Sequence, residues 1–357
     1  MNAPFSLPAS LRLLDLADPD DLARLDGFLA RHPDATPFHR PCWFVAAAKA
    51  TDNRAMALVQ EKQGEIAAFL PLNAIHSPVF GRLLASSGFA VGGGLLTTDQ
   101  ADPDAIFPAL EELALRLSCP AIELRGGVLP DVRPGWARKT ESHCNFARPL
   151  AVDDEAELLA IPRKQRAEVR KSLGFDLEIE VGTAERDRAA HYAVFAESYR
   201  NLGTPVFPRA LLDAVVDAFG ADADILTVRH QGVPVASVIS LYHRGAVMPY
   251  WGGGTHAARA LRANDRMYFE LMRHARARGA THFDFGRSKT NSGAYHFKRN
   301  WGFEPEPLSY AAWTAPGAGR RDADPTSAGL SLQIKVWQRL PLAIANRLGP
   351  LIARGIG

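Results

Sequence analysis

The stretch Thr281–Tyr310 reads THFDFGRSKTNSGAYHFKRNWGFEPEPLSY, and the rest of the chain is organised around it. His282-Phe283-Asp284-Phe285 alternates and stops at Gly286, which predicts a short buried strand. Arg287, Ser288 and Lys289 follow at its carboxyl end, then the turn residues Asn291-Ser292-Gly293. Ala294–Trp301 predicts a short helix carrying Tyr295, His296, Phe297, Lys298 and Arg299, stopped by Gly302. From Phe303 to Tyr310 the chain reads as extended. A strand ending in polar residues, a glycine loop and a basic-aromatic helix make a ligand-binding corner. It is no Walker loop, since no Gly-Lys-Ser/Thr follows the first glycine at the required spacing.

Outward from this corner the pattern is α+β. Ala55–Gln60 and Ile66–Ile75 flank the turn Lys62-Gln63-Gly64, and Gly92-Gly93-Gly94 follows. A helix is then expected over Asp104–Leu117 and a strand over Ala121–Leu124, ending at Arg125-Gly126-Gly127. The second half repeats that order. Ile225–Arg229 and Val233–Tyr242 flank His230-Gln231-Gly232, and Ala246–Trp251 runs into Gly252-Gly253-Gly254. Asp265–Arg278 is the helix, and His282–Phe285 the strand. The residue identities match poorly, so the similarity is architectural. Leu11–Leu29 reads as one capped amphipathic helix ahead of the first half.

The 357 residues suit two domains. We expect them at 1–150 and 151–313, with a linker over 314–329 and a basic amphipathic tail over 330–357. In the tail Leu330, Ile334 and Trp337, then Leu342, Ala345 and Leu348, recur at helical spacing around Pro341. Its charges are Lys335, Arg339, Arg347 and Arg354, with none acidic, so it suits either an anionic membrane interface or a docking face on protein. Between the domains, PRKQRAEVRKS places Arg163, Arg166 and Arg170 on one helix face. That face is either an oxyanion site or a solvated surface.

Composition removes several classes. A net charge of +2 does not point to DNA. Three scattered cysteines form no disulfide framework and no CxxC metal pair, so no metal is expected. The first residues lack a basic region before an apolar core, and no apolar run reaches the ~20 residues needed to cross a bilayer. The expected location is the cytoplasm, with peripheral contact on the inner face of the membrane through the tail. No GxSxG elbow, HExxH or GxGxxG fingerprint occurs.

What remains is acyl transfer, which needs a donor pocket, an acceptor and a stabilised oxyanion. Lys298 is the candidate stabiliser. Asp284 either orients or deprotonates the acceptor, or else caps the neighbouring glycine turn. The candidate substrate contacts are Arg287, Ser288, Tyr295 and Phe297 in the corner, and Tyr250, Trp251 and Gly252 at the end of the preceding strand. Arg262 and Asn264 in the following loop join them, with Arg163, Arg166 and Arg170 upstream.

The run FDFGRS…GAYHFKRNWGFEPEPLSY, with LRANDRMYFELMRHARARGATHFDFG before it, resembles the FemAB-like branch of the GNAT acyltransferase superfamily. More narrowly, it is similar to the FemAB-related proteins that accompany exosortase and exopolysaccharide gene sets. The likeness extends to IPRKQRAEVRKS and to VWQRLPLAIANRLGPLIAR, and Phe297-Lys298 through Gly302-Phe303 is its most specific part. It implies tandem GNAT-like domains and transfer of an acyl or aminoacyl group to an amine on a cell-envelope precursor, a small-molecule or lipid-linked glycan. In Fem transferases the lysine of this Phe-Lys pair stabilises the transition state, a role that falls on Lys298. The chain departs from ordinary GNAT enzymes at their pyrophosphate loop, where it has Arg259–Asn264 without glycines. The donor therefore stays open between acyl-CoA and aminoacyl-tRNA, although the coiled-coil arm of some tRNA-using Fem enzymes has no counterpart here. Two other readings stand beside this one: an acyl-CoA transferase on a small metabolite, and a GNAT-derived scaffold without chemistry.

Overall fold

A computed structural model of the chain describes residues 7–78, 80–319 and 331–355. In chain order its elements begin β1 (Leu11–Leu13), α1 (Pro19–Arg31), α2 (Pro41–Ala50), β2 (Arg54–Lys62), β3 (Glu65–Ser77), β4 (Gly81–Ser86), β5 (Leu96–Thr97), α3 (Pro103–Arg116), β6 (Ala121–Arg125) and β7 (Trp136–Asn145). They continue β8 (Ala147–Pro149), α4 (Asp154–Ala160), α5 (Arg163–Leu173), β9 (Glu178–Gly182), α6 (Glu185–Leu202), α7 (Arg209–Phe219), β10 (Ala223–His230), β11 (Val233–His243) and β12 (Ala246–Gly254). The last are α8 (Ala263–Ala277), β13 (His282–Asp284), β14 (Ser288–Lys289), α9 (Gly293–Asn300), β15 (Glu306–Thr314), α10 (Ser331–Arg339) and α11 (Leu342–Ala353). These residues form two compact units: 7–140 with 309–319 and 354–355, and 141–308 with 331–353.

In the first unit β2, β3 and β4 run antiparallel and β4 pairs parallel with β6, which makes the sheet mixed. The crossover from β4 to β6 carries α3, as a parallel connection requires. Glycine-bearing turns set the hairpin: Gln63 and Gly64 both have positive φ, the pair that a two-residue turn demands. Strand β3 is buried over nearly its whole length because helices cover both faces. Phe69 meets Phe28 of α1 and Phe44 of α2, while Leu70 and Leu72 share a cluster with Ile106, Leu110 and Leu113 of α3.

The second unit repeats the plan. Strands β9, β10, β11 and β12 are antiparallel, and β12 pairs parallel with β13 after the α8 crossover. Period two separates the faces of β11. Ala236 and Val238 join the cluster that holds Met267, Leu271 and Met272 of α8, while Ser237 bonds His191 of α6 on the other side. Each unit is thus a mixed sheet between helices, and the doubled plan expected from the sequence pattern is present.

Each sheet also takes a strand from outside its own run of sequence. β15 pairs antiparallel with β6, and β8 pairs antiparallel with β13. Residues 141–150 accordingly belong with the second unit and 309–319 with the first, where the sequence reading placed cuts at 150 and 313. The sequence marks Phe303–Tyr310 as extended without saying which sheet it joins, and the strand formed is Glu306–Thr314.

Other differences are local. Leu11–Leu29 is not one helix: β1 pairs with β2, and α1 starts only after Asp18 accepts a hydrogen bond from Asp20 N–H. Strand β12 continues past the expected Trp251 through Gly254. A Cβ on Gly253 would stand 2.4 Å from Ser198 Oγ and one on Gly254 2.4 Å from Asn264 Oδ1, so these glycines admit close neighbours. Most of the linker expected at 314–329, and the ends of the tail, lie outside the described residues. The tail's helices α10 and α11 dock on α6. Among the described residues no helix is long and apolar enough to cross a membrane.

Candidate active site

Strands β12 and β13 are partners only at Ala246–His282 and Val247–Phe283. Beyond that point the chains separate. Met248–Gly254 continues along β11, whereas Phe285 N–H turns to Phe146 O at 2.7 Å. Pro249 brings no N–H to the ladder, and a bulge follows: Pro249 pairs with Ser240 and Trp251 with Ile239, which leaves Tyr250 as the extra residue. The Tyr250 and Trp251 rings lie 5.0 Å apart. Phe207 lies 6.2 Å from Trp251 and 5.8 Å from Tyr199 of α6, so one side of the β12 end is aromatic.

At the end of β13 stands Lys298, delivered by α9. Ser292 caps this helix by accepting from Tyr295 N–H, and Trp301 and Gly302 (φ 82°) end it. Lys298 is 8% exposed. Its Nζ donates to Gly286 O at 2.9 Å and Arg287 O at 3.0 Å, and sits 5.5 Å from the centres of both the Phe146 and Phe285 rings. Two of the three ammonium protons are thereby placed, and one remains to donate. Gly286 takes φ 69°, which turns its carbonyl onto the lysine at little cost for a residue without Cβ.

Burial is the main influence on the charge here. It pushes Lys298 down to about 7, against the opposing pull of Asp284, with Arg287 adding a smaller depression. It also raises Asp284 above the usual carboxylate range, offset by Gly286 N–H, which donates to it at 2.9 Å, by Asn145 and by Lys298. Asp284 thus caps the glycine turn and faces the ammonium at once. The lysine is poised between charged and neutral near neutral pH.

The remaining candidates separate into groups. Ser288 lies beside Cys144 in the β14–β7 pairing, with its Oγ buried and unbonded. Arg287 lies close enough to Tyr199 to oppose the burial that lifts this phenol to about 12. Tyr295 packs on Phe146, and Phe297 among Tyr268, Phe285 and Trp301, so both serve the aromatic core under the lysine. Arg262 is the N-cap of α8, which packs on α5, and Asn264 lies in the first turn of that helix rather than in a loop. Arg262 holds φ 52° and is paired with Glu168 at 2.5 Å. Arg163, Arg166 and Arg170 line a cleft of about 560 Å³ with Ala167 and Lys171. Within that cleft Arg166 bonds the carbonyls of Leu159 and Ile161.

Comparisons with known proteins bear on this arrangement. The acetyltransferase (GNAT) domain family matches residues 161–299. The fold is that of a tandem GNAT protein. FemX is 14% identical with a TM-score of 0.63, over 84% of this chain and 96% of its own. A tandem GNAT protein from the clavulanic acid biosynthesis pathway is 14% identical at 0.54, over 87% and 100%. N-myristoyltransferase of Saccharomyces cerevisiae, solved with myristoyl-CoA, is 13% identical at 0.55, over 88% and 85%. No curated protein matches the chain in sequence.

Three residues of this site escape sequence reading. Asn145 and Phe146, on Asp284 and Lys298, come from the strand exchange at the start of the second unit, a segment with no motif of its own. Asp265, in the first turn of α8, is pushed up to about 6 by burial, although Gln165 donates to it at 2.6 Å. Its neighbours in sequence, Asn264 and Arg266, carry no sign of this, because burial is set by α5 packing over α8.

Proposed function

We propose that the chain is an N-acyltransferase or aminoacyltransferase whose chemistry takes place beside Lys298. The observation that carries this is a buried ammonium with two N–H groups held by backbone carbonyls and one left to donate. The acceptor amine attacks the donor carbonyl, the C–N bond forms, and negative charge collects on the carbonyl oxygen. Lys298 donates its free N–H to that oxygen, in a dry setting where such a bond is strongest. Collapse breaks the bond to the leaving group, and the amine proton leaves through water. Asp284 keeps the lysine charged and in place rather than touching substrate.

The gap where β12 and β13 part is our donor or acceptor channel, with Tyr250, Trp251 and Gly252 along one strand and Arg287 and Ser288 beyond the other. We assign the α5 arginines to an anionic portion of a substrate. The C-terminal domain of a putative lysylphosphatidylglycerol synthetase from Agrobacterium fabrum, 14% identical at a TM-score of 0.53 over 82% of this chain and 92% of its own, shares the fold and bears a name that fits aminoacyl transfer. An amine on a cell-envelope or exopolysaccharide precursor is therefore our preferred acceptor. The α8 start has no glycine and its Arg262 is already paired, which weighs against acyl-CoA and towards an aminoacyl ester donor.

The test is turnover of acyl-CoA and aminoacyl-tRNA donors with amino-sugar and peptide acceptors, using wild type and Lys298→Ala. The reading requires product from wild type and loss of about 10²–10³ in kcat in the variant. Wild-type turnover by Lys298→Ala would remove the lysine from the chemistry.

A further inference from the structure

Helix α11 is docked the wrong way round for a core helix. Ala345, Gly349 and Ala353, at i, i+4 and i+8, are its buried residues. A Cβ on Gly349 would stand 2.9 Å from Val206 N, so the small face allows a close approach. Ile344, Leu348 and Leu351, at i, i+4 and i+7, are 45%, 43% and 59% exposed. Helix α10 is divided. Gln338 Nε2 donates to Asn201 O, and Ile334 lies against Gly203, while Val336 is 54% exposed. Leu202, beside these contacts at the end of α6, is exposed too. An amphipathic helix that packs only on its own protein buries its large side chains. On α11 Ile344, Leu348 and Leu351 are presented outward.

The charges choose the occupant. Lys335, Arg339 and Arg347 are exposed on the same two helices, and no acidic residue occurs from 330 to 357. We propose that α10 and α11 seat the protein on an anionic lipid bilayer, with Ile344, Leu348 and Leu351 entering the headgroup–acyl boundary and the basic residues at the phosphates. A symmetric contact with a second copy would instead set this basic surface against itself. The inference does not depend on the acyl-transfer reading.

Co-sedimentation of the full chain with vesicles tests it. Vesicles of phosphatidylcholine with about one quarter phosphatidylglycerol should take down the protein, and pure phosphatidylcholine far less. Binding should weaken on raising salt to about 0.5 M, where surface charge is screened. Ile344→Ser with Leu348→Ser and Leu351→Ser should lower partition at least about tenfold, and Arg339→Glu with Arg347→Glu should lower it similarly. All five positions are exposed, so the thermal midpoint of each variant should match wild type. No sedimentation with the anionic vesicles overturns the proposal, as does equal binding by wild type and variants or equal binding to both lipids. A concentration-dependent dimer that the triple serine variant abolishes, without vesicle binding, assigns the face to a second copy instead.

Discussion

Lys298 combines burial, two backbone acceptors and a facing carboxylate, and its protonation is the sensitive quantity at this scale. As an oxyanion donor it must carry its proton, so the rate should fall as pH rises above about 7. A kcat–pH profile reads this directly, and a rate that climbs through that range would make the lysine a base instead. Asp284→Asn removes the main influence that keeps the ammonium charged, so the falling limb should move to lower pH. A purely structural Asp284 would lower activity without moving the limb. Stability carries a matching signature. The folded value for Lys298 lies below the unfolded 10.5, so from about 7 to 10.5 the unfolded chain binds more protons and stability from this group rises with pH. Asp284 acts oppositely: its contribution is complete below 3.8 and is lost as pH rises through its higher folded value. Denaturant midpoints against pH should show the alkaline rise in wild type and lose it in Lys298→Met.

At the scale of elements, the corner depends on strands that part at one place and pack tightly at another. β12 leaves β13 after Val247, while its glycines lie under α6 and the loop before α8. Gly253→Ala would put a methyl 2.4 Å from Ser198 Oγ and 2.6 Å from its Cβ. Urea unfolding should show a loss of about 1–3 kcal/mol, the usual cost of an overpacked contact. The cluster beneath Lys298 holds α9 in place: Phe285, Trp301 and Phe303 are nearly or fully buried, with Phe285 and Phe303 centroids 5.0 Å apart. Phe303→Ala should cost about 3–5 kcal/mol and reduce activity through a displaced lysine. Activity that survives unchanged in that variant would mean α9 is positioned by its cap and turn alone.

At the scale of the chain, the first unit depends on a strand that returns from the far end of the second unit's sequence. β15 completes the first sheet on β6, and Trp313, 3% exposed, sits in that unit's core with Ile122 and Leu124. A chain ending at Leu308 would bare the β6 edge and empty the Trp313 site. Hydrogen exchange should then rise throughout β4 and β6, with a loss of stability of several kcal/mol, about what a buried tryptophan supplies. Unchanged protection in β6 would show that the first unit closes without β15.

Local composition determined a good deal. Two rounds of hairpin, helix and strand are written in alternation and turn residues, because a two-residue turn needs positive φ and a half-buried strand needs period two. The corner at Asp284–Phe303 and the lysine on its helix follow from cap and stop residues within a few positions of each other. Only the tertiary structure decided what lies far apart in sequence. Asn145 and Phe146 reach Asp284 and Lys298 through a strand contributed from the end of the first half, and Tyr310–Trp313 returns to the first sheet. The depressed lysine and the outward-facing Ile344, Leu348 and Leu351 likewise required the fold. Burial depends on which face a neighbour covers, and no periodicity within one helix records that neighbour.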